Sequence, residues 1–248
     1  MEWREAGGLK WLEAELPGAR AVYSTRVGGM SSGPFDSLNL GLLTDDDSAT
    51  VHANRAEMCE ALEVDPAGIV SGKQVHGADV VRQDEPSERS AWLLGAGGDP
   101  QLVDGWVTSK EGLAPLVFVA DCLPVALSGP GGIAMVHGGW RGLAAGIAEK
   151  GVKEVGATAA AIGPGIGPCC FEVGEEVLAE FSHLGLDIAV GRMLDLGLVC
   201  ERLLRNAGVE HIVRSELCTS CERELFFSHR RDGGVTGRQA GLVCKWPS

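Results

Sequence analysis

The amino-acid sequence predicts an α+β fold built on a mixed sheet. A chain of 248 residues with 45% hydrophobic side chains can bury a sizeable core. Short apolar runs typical of strands outnumber the longer segments typical of helices, and these runs follow one another consecutively. A strictly alternating βαβ protein would place a helix between most neighbouring strands, so the consecutive strands favour α+β.

Strands are predicted where short apolar runs are bounded by glycine, proline or polar turn residues. In chain order they are expected at Ala21–Arg26, Ile69–Val75, Val80–Arg82, Gly105–Ser109, Leu116–Ala120, Val125–Ser128, Ile133–His137, Ala159–Ile162, Ile212–Ser215 and Leu242–Lys245.

Helices are predicted at longer segments with helical apolar spacing. They cover Ala49–Leu62, Leu143–Val155, Glu172–Phe181 and Met193–Ala207. Ser48 is a suitable N-cap for the first helix, because its hydroxyl can accept a hydrogen bond from a backbone N–H of the first turn. Gly208 suits the position just past the last helix, where a left-handed backbone conformation is common.

Residues 1–248 are predicted to form a single domain. The sequence contains no internal repeat of solenoid or propeller period and no low-complexity tract. The best candidate for a boundary is Asp84–Gly98, DEPSERSAWLLGAGG. Strand-like segments lie close on both sides of it, which favours an internal surface loop.

Charge and hydropathy exclude several classes of function. The formal net charge of -13 argues against binding to nucleic-acid phosphates or to anionic membranes. The longest apolar segment, LAPLVFVADCLPVAL, is interrupted by Asp121 and Pro124, so no membrane span is expected. The first residues, MEWREAGGLK, do not resemble a secretory signal. These features predict a cytoplasmic protein whose eight cysteines are mostly reduced.

Three metal-competent residues lie where a predicted strand gives way to a turn. His76 occurs in SGKQVHGADV, Cys122 in LVFVADCLPVAL and His137 in GGIAMVHGGWRG. Each histidine is followed by glycine, which lets backbone or a ligand approach closely. Zinc accepts this set, and three protein ligands leave a position open for catalysis. The three are far apart in sequence, however, and each alone is compatible with a buried structural role.

The remaining cysteines form no recognisable metal motif. Cys218 and Cys221 have CxxC spacing, but no second pair with zinc-ribbon spacing follows, so a structural four-cysteine zinc site is not expected. A thioredoxin-like redox role is disfavoured, because the pair lies outside a βαβ context. Cys169 and Cys170 are adjacent, and adjacent thiols rarely share one metal. The cysteines expected to pack in helices or a strand are Cys59, Cys200 and Cys244.

Arginines occur beside glycine-rich turns. Arg26 ends the strand AVYSTR, Arg141 begins a helix, and FFSHRRDGGVTGRQAG contains Arg230, Arg231 and Arg238. Arginine suits bidentate recognition of phosphate or carboxylate, and a helix N-terminus favours anions. For any single arginine, pairing with some of the 34 acidic residues is the alternative. Together they favour a site for an anionic or polyhydroxyl small molecule.

Longer segments, taken together, are highly specific. They extend from about Tyr23 to Val243 and comprise STRVGGMSSGPFDSLNLG, NRAEM, KQVHGADV, VADCLPVAL, VHGGWRGLAAGI, AIGPGIGPCCFEVGEEV, LDLGLV, CTSC and FFSHRRDGGVTGRQAGL. On these segments the chain resembles the family variously called multicopper polyphenol oxidase, laccase-domain protein, YfiH family and peptidoglycan editing factor.

The resemblance implies a ligand set and a fold. The family's metal ligands are a His in Q-V-H-G, a Cys in A-D-C-L-P and a His in H-A-G-W-R-G, which fall here on His76, Cys122 and His137. The implied fold is a layered α/β sandwich, related in outline to a bacterial toxin deamidase fold. The sequence departs from the family pattern at Gly138, where Ala is usual, and at His229, where Tyr is common.

Further site residues are hypotheses. The candidate phosphate contacts are Arg26, Arg141, Arg230 and Arg231. Asn39 lies between two leucines and is a candidate substrate contact, with a turn-forming role as the alternative. Asp121 or His229 is expected to handle protons during catalysis, because both lie close in sequence to candidate site residues.

Three reactions are compatible with the resemblance. The first is a zinc-dependent purine nucleoside enzyme, which deaminates adenosine and uses phosphate to cleave adenosine, inosine, guanosine or S-methyl-5′-thioadenosine. The second is a copper-dependent polyphenol oxidase, disfavoured because a four-copper centre needs more histidines than the six in this chain can supply. The third is an amidase that edits peptidoglycan precursors, with Cys122 as nucleophile and His76 or His137 as base. A zinc-stabilised binding module is the non-enzymatic alternative.

The sequence is accordingly interpreted as a cytoplasmic, zinc-dependent purine nucleoside phosphorylase and adenosine deaminase, with copper as the alternative metal. Its expected partners are a purine nucleoside and phosphate, without nucleic acid or membrane. A monomer or homodimer is expected.

Overall fold

The structure is a computed structural model that describes residues 1–94 and 98–245. The predicted loop Asp84–Gly98 therefore lies in part outside the described residues. The strands are β1 (Glu2–Ala6), β2 (Leu9–Leu16), β3 (Ala19–Ser24), β4 (Ile69–Val70), β5 (Val80–Arg82), β6 (Gly105–Thr108), β7 (Ala114–Val119), β8 (Leu123–Gly129), β9 (Gly132–Gly138), β10 (Ala159–Ile162), β11 (Ala189–Val190), β12 (Met193–Leu194), β13 (His211–Arg214) and β14 (Gln239–Lys245). The α-helices are α1 (Ser48–Leu62), α2 (Trp140–Ala144), α3 (Ile147–Val155), α4 (Glu175–Phe181) and α5 (Leu196–Asn206).

Two six-stranded sheets form the framework. In the first, the strand order is β1-β2-β3-β14-β7-β4, and all neighbours are antiparallel except β4 and β7. In the second, the order is β13-β10-β8-β9-β6-β5, with parallel pairs at both edges. Both sheets are mixed, which confirms the predicted α+β class.

The two sheets pack face to face, with helices on their outer sides. Tyr23 of the first sheet and Met135 of the second belong to one buried cluster between the sheets. On the outer side of the first sheet, Met58 of α1 packs into a second cluster. Val152 of α3 and Leu203 of α5 cover the second sheet. The layered sandwich implied by the family resemblance is therefore confirmed, whereas the single domain over residues 1–248 stays a prediction.

The hairpin of β1 and β2 is absent from the sequence-based prediction. Its strands contain four glutamates, a residue type that is depleted in strands, and these obscure the apolar pattern. Buried Glu13 accepts a hydrogen bond from the Trp11 indole at 3.3 Å and lies 3.7 Å from a guanidinium nitrogen of Arg20. The turn residues Gly7 and Gly8 have φ of +59° and +85°. A Gly-Gly pair between two strands is the local signal that indicates this hairpin.

Predicted helix starts differ from the observed ones: α4 begins at Glu175 and not at Glu172, and α1 and α5 each follow an aspartate cap. The carboxylate of Asp47, and not Ser48, caps α1 by accepting a hydrogen bond from the Thr50 N–H at 2.8 Å. Asp195 caps α5 in the same way, at 2.8 Å from the Leu198 nitrogen, so the first two residues of the predicted helix form β12 instead. An aspartate preceding an apolar segment is a strong N-cap signal in both places.

Other boundaries differ where the backbone turns. Gly146, with φ of +85°, interrupts the predicted helix Leu143–Val155 and separates α2 from α3. The predicted strand Ile69–Val75 ends at Val70, and the chain then passes from the first sheet, which contains β4, to the second, which contains β5. Gly208 follows α5 with φ of +94°, which confirms its predicted place. Of the helices that the structure describes, none is long and apolar enough to span a bilayer.

Candidate active site

The structure brings His76, Cys122 and His137 together. His76 lies in the turn between β4 and β5, Cys122 directly precedes β8, and His137 lies in β9. Their ligand atoms all lie within 4.8 Å of one another. The Cys122 Sγ is 3.8 Å from the His76 Nε2, and the two imidazole rings meet edge to face with centroids 4.8 Å apart. The predicted triad is therefore a spatial cluster that could hold a metal.

Sheet register explains this meeting. β8 and β9 pair so that Pro124 lies opposite His137 and Leu123 opposite Gly138. Cys122, one residue before β8, consequently lies beside the end of β9. Asp121 reaches this position with φ of +97°, a left-handed conformation uncommon for a non-glycine residue.

Asp104 fixes the positions of both histidines of the triad by hydrogen bonds. Its fully buried carboxylate accepts a hydrogen bond from His137 Nδ1 at 2.8 Å. The same carboxylate accepts the backbone N–H groups of Val75 at 3.0 Å, His76 at 2.9 Å and Gly77 at 2.8 Å. One side chain thus holds both histidines, and it leaves Nε2 of His137 as the nitrogen available to a metal.

The charge state of Asp104 follows from these contacts. Burial alone would raise the pKa of this carboxyl, but the hydrogen bonds from His137 and from the loop backbone hold the pKa below its usual value. Asp104 is consequently ionised and balances positive charge on His137.

The pKa of the Cys122 thiol is lowered by its surroundings. Burial raises the pKa of this thiol, but the charge of His137 and the hydrogen bonds from both histidines outweigh it and lower the pKa to about 6. Burial lowers the pKa of His137, but the charge of Cys122 and the hydrogen bond to Asp104 raise it to about 9. Without a metal, the pair therefore carries a thiolate beside an imidazolium, and the thiolate is the form that binds zinc.

The triad opens into a cavity of about 580 Å³. Aromatic side chains in its lining are Phe118, Trp140 and Phe171. Cationic side chains in the lining are Arg55, Lys73, Arg141, Arg230 and Arg238. The cavity therefore offers apolar ring surfaces and positive charge next to the metal-competent cluster, in an otherwise acidic chain.

Two predicted phosphate contacts, Arg141 and Arg230, lie at this cavity. The Arg141 guanidinium lies 4.4 Å from the centroid of the Trp140 ring. The Arg230 guanidinium lies 5.4 Å from the Phe171 ring and donates to the Glu172 carbonyl at 3.0 Å. Ring contacts of this kind orient the guanidinium groups while leaving donors free for an anion.

Three other predicted contacts lie elsewhere. Arg26 and Arg231 line a separate cavity of about 520 Å³. The Arg231 guanidinium binds both oxygens of Asp232 at 2.8 Å. Asn39 is fully buried, where its amide donates to Thr44 and accepts from the backbone N–H of Arg238 at 2.9 Å. The contacts of these three residues stabilise loops. Those of Asn39 agree with the alternative, turn-forming role.

Both candidate proton carriers line the cavity. The Asp121 carboxylate accepts hydrogen bonds from the Thr219 hydroxyl and from the Arg230 backbone N–H, each at 2.7 Å. His229 is exposed. Asp121 thereby attaches the loop that carries His229 and Arg230 to the strand end that carries Cys122.

The sequence of the chain matches a known protein family. Residues 20–245 match the family described as multi-copper polyphenol oxidoreductase laccase. The chain belongs to this family.

Relatives in the laccase family cover nearly the whole chain. The purine nucleoside phosphorylase YlmD of Geobacillus stearothermophilus is 38% identical, with 97% of this chain and 95% of the relative covered. The purine nucleoside phosphorylase YfiH of Escherichia coli is 36% identical, with 91% and 93% covered. The crystal structure of the hypothetical protein YfiH from Bacillus licheniformis has a TM-score of 0.89 and 32% identity, covering 98% of this chain and 99% of that chain. The protein is accordingly an enzyme of this family, and the binding-module alternative is set aside.

The histidines of this laccase-family enzyme limit its metal chemistry. Within the described part of the chain, two clusters have the geometry to hold a metal, and His76 and His137 are the histidines in them. A four-copper centre would need a further histidine-rich cluster. The triad therefore offers one metal position with three protein ligands.

Sequence reasoning missed Asp104, Gln74 and Arg55. Gln74 exchanges two hydrogen bonds with the backbone of Phe118, at 2.7 and 2.8 Å, and so fixes the loop that carries His76. Arg55 donates to the Leu40 and Trp92 carbonyls and lies 4.8 Å from the Trp92 ring. Asp104 directly precedes a predicted strand, and Gln74 lies within KQVHGADV. An acidic residue at a buried strand end was the available signal for Asp104.

A second cluster contradicts the expectation for the other cysteines. The sulfur atoms of Cys169, Cys170, Cys218 and Cys221 lie within 4.8 Å of one another. The expectation rested on the residues after the CxxC pair, whereas the partner pair, Cys169 and Cys170, precedes it in the chain. The expectation for Cys59, Cys200 and Cys244 was correct, since they lie on α1, α5 and β14.

We predict that a side chain at position 139 would crowd the metal-competent cluster of this laccase-family enzyme. A Cβ at this position would lie 3.0 Å from His76 Cδ2 and 3.2 Å from Cys122 Sγ. We expect Gly139→Ala to displace the ligands and weaken zinc binding about tenfold in chelator competition, with little change in Tm. Gly138→Ala is the control, because its Cβ would meet Leu123 instead. Equal zinc affinity in both variants would contradict the prediction.

Proposed function

We propose that this enzyme is a zinc-dependent purine nucleoside phosphorylase that also deaminates adenosine. Its substrates are adenosine, inosine, guanosine and S-methyl-5′-thioadenosine. The observation that carries the proposal is a cavity of about 580 Å³ in which the His-Cys-His cluster lies beside aromatic rings and the side chains of Arg141 and Arg230. The names of the relatives from Geobacillus stearothermophilus and Escherichia coli support the same class of reaction.

The residues present fit a zinc ion. Two imidazole nitrogens and one thiolate are ligands that zinc prefers, and Asp104 supplies the carboxylate that commonly orients a zinc-bound histidine. When bound by His76, Cys122 and His137, zinc would supply Lewis-acid polarisation and lower the pKa of water at its open position. Copper is the alternative metal for the same donor set.

We assign the purine to the aromatic part of the cavity lining and the phosphate to its cationic part. Phe118, Trp140 and Phe171 offer ring faces on which a purine can stack. Arg141 and Arg230 offer guanidinium donors suited to phosphate, because two phosphate oxygens can accept parallel N–H bonds from one guanidinium. Phosphorolysis then transfers the ribosyl carbon from the purine nitrogen to a phosphate oxygen, yielding free base and ribose 1-phosphate. Deamination uses water instead and releases ammonia and inosine.

His229 is the better placed of the two proton carriers. Both carboxylate oxygens of Asp121 already accept hydrogen bonds, whereas the His229 ring is exposed at the cavity. We assign His229 to proton transfer at the purine, and Asp121 to positioning the loop that carries it. The leaving purine needs a proton during cleavage of the glycosidic bond, and an imidazole can transfer one as a general acid.

One observation favours a second candidate reaction. In the metal-free cluster the pKa of Cys122 is lowered to about 6, and its sulfur lies 3.8 Å from His76 Nε2. An activated thiolate beside a histidine is the arrangement of a cysteine amidase. This supports an enzyme that removes an amino acid from peptidoglycan precursors as the alternative function.

Product analysis separates these functions. Zinc-loaded protein is incubated with adenosine, with and without phosphate. The proposal expects inosine in both reactions, and adenine with ribose 1-phosphate only when phosphate is present. If neither product forms, the purine proposal fails, and a muramyl peptide precursor becomes the next substrate.

Arginine variants test the phosphate site. We expect Arg141→Gln and Arg230→Gln each to raise the KM for phosphate by about 10- to 100-fold, because each removes a charge-assisted hydrogen bond. The deamination rate should change far less, since that reaction does not use phosphate. Arg205→Gln, which breaks an exposed ion pair with Glu201 on α5, is the matched control. An unchanged KM in both cavity variants would place phosphate elsewhere.

A further inference from the structure

Four cysteines converge outside the proposed active site. Cys169 and Cys170 lie in the loop between β10 and α4, and Cys218 and Cys221 lie in the loop after β13. The two loops run side by side, since Gly165 pairs with Cys218 in a parallel bridge. The four sulfur atoms lie within 4.8 Å of one another. Neither the proposed reaction nor its cavity uses these thiols.

The sulfur separations suit a tetrahedral metal. The Sγ of Cys221 lies 3.4 Å from that of Cys169 and 3.5 Å from that of Cys170. Four thiolates around zinc, with bonds of about 2.3 Å, place neighbouring sulfurs about 3.8 Å apart. A disulfide would need about 2.05 Å, and all four cysteines are free thiols. The cluster is therefore close to the size of a tetrathiolate site.

A tight turn lets the two adjacent cysteines reach one point. The N–H groups of Cys170 and Phe171 both donate to the Gly167 carbonyl at 3.0 Å. The N–H of Gly167 in turn donates to the Cys218 Sγ at 3.2 Å. A backbone N–H directed at sulfur stabilises the thiolate, which is the form that binds metal. Cys218 is buried while Cys169 and Cys221 are exposed, so the cluster is anchored on one side and open to an entering ion on the other.

The same loops hold the lining of the active-site cavity. Thr219, next to Cys218, donates to Asp121 at 2.7 Å. The Cys170 carbonyl accepts from Arg230 at 3.4 Å. Phe171, next to Cys170, lines the cavity itself. An ion that joins the two loops would consequently fix the positions of Asp121 and Arg230 without touching the substrate.

We propose that Cys169, Cys170, Cys218 and Cys221 bind a structural zinc ion that is distinct from the metal of the His-Cys-His cluster. The four thiolates fill a closed tetrahedral shell, so this ion takes no part in catalysis. It joins the two loops at the rim of the cavity. The proposal does not depend on which reaction the enzyme performs.

Native mass spectrometry of the intact protein, purified under reducing conditions and loaded with zinc, tests the proposal. We expect two zinc ions per chain in the unaltered protein, matching the two clusters. The Cys122→Ala variant should retain one, and the Cys218→Ser/Cys221→Ser double variant should also retain one. Cys244→Ser, which alters a half-buried cysteine outside both clusters, should retain both.

Cobalt substitution identifies the ligands even if the double variant does not fold. In the Cys122→Ala background, bound Co²⁺ should show the strong thiolate charge-transfer absorption of four sulfur ligands and tetrahedral visible bands. A single zinc in the unaltered protein that disappears in Cys122→Ala would overturn the proposal. So would Co²⁺ absorption in Cys122→Ala that lacks the thiolate bands.

Discussion

Replacing Cys122 by alanine is expected to remove the metal of the His-Cys-His cluster and to lower adenosine turnover at least about a thousandfold. The loss has two causes. Two histidines alone bind zinc too weakly to hold it, and metal polarisation supplies several kcal/mol of transition-state stabilisation. The measurements are zinc content after dialysis and kcat/KM for adenosine with and without phosphate. His76→Gln should show the same double loss, because it removes a ligand from the same cluster.

The controls for this prediction replace a cysteine and a histidine that lie outside the cluster. Cys244→Ala and His211→Gln alter a cysteine and an exposed histidine outside the described metal clusters. Both should retain zinc and activity. A Cys122→Ala protein that keeps its full zinc content but has no activity would contradict the ligand assignment, and it would support Cys122 as a nucleophile.

The Asp104→Asn substitution is expected to weaken metal binding although it replaces none of the three proposed ligands. The amide would retain only one acceptor oxygen where the carboxylate now receives four hydrogen bonds from His137 and the loop from Val75 to Gly77. We expect zinc affinity to fall about 10- to 100-fold, as for other residues that orient a metal-bound histidine. The free energy of unfolding should fall by about 2–3 kcal/mol, because a fully buried charged acceptor is lost.

Chelator competition and thermal unfolding measure the two effects separately. Asp84→Asn is the matched control, because Asp84 accepts hydrogen bonds from Thr108 and Ser109 at the opposite end of β6. It should leave zinc affinity unchanged. If Asp104→Asn lowered stability but kept full zinc affinity, Asp104 would serve the fold alone, and its role in orienting His137 would be disproved.

Local sequence patterns located the main strands and helices well. Val80–Arg82 and Ala159–Ile162 match the observed strands residue for residue. Local patterns fail where charged residues obscure the apolar alternation, as in the hairpin of β1 and β2. They also fail at Ser48, where the aspartate one position earlier is the stronger cap. These are short-range errors, and closer attention to Gly-Gly turns and aspartate caps would correct them.

The glycines after His137 show the limit of a local argument. The glycine directly after each histidine, Gly138 in this case, was expected to let backbone or a ligand approach closely. A Cβ on Gly139 would meet His76 and Cys122, but a Cβ on Gly138 would meet Leu123 in the neighbouring strand. Successive strand residues point to opposite sides, so only one of the two can face the cluster.

The sequence by itself determined the α+β class, the family resemblance, and the strand ends beside Cys122 and His137, whereas His76 lies in the loop between β4 and β5, beyond the strand end. Strand periodicity and turn residues are local properties, so they can be read from one short segment at a time. Only the tertiary structure decided which distant residues meet. It placed Asp104 beneath both histidines, moved Arg26 and Arg231 away from the cavity, and joined Cys169 and Cys170 to Cys218 and Cys221. Those meetings depend on the register of paired strands and on the packing of two sheets, which are set by non-local contacts that no single segment encodes.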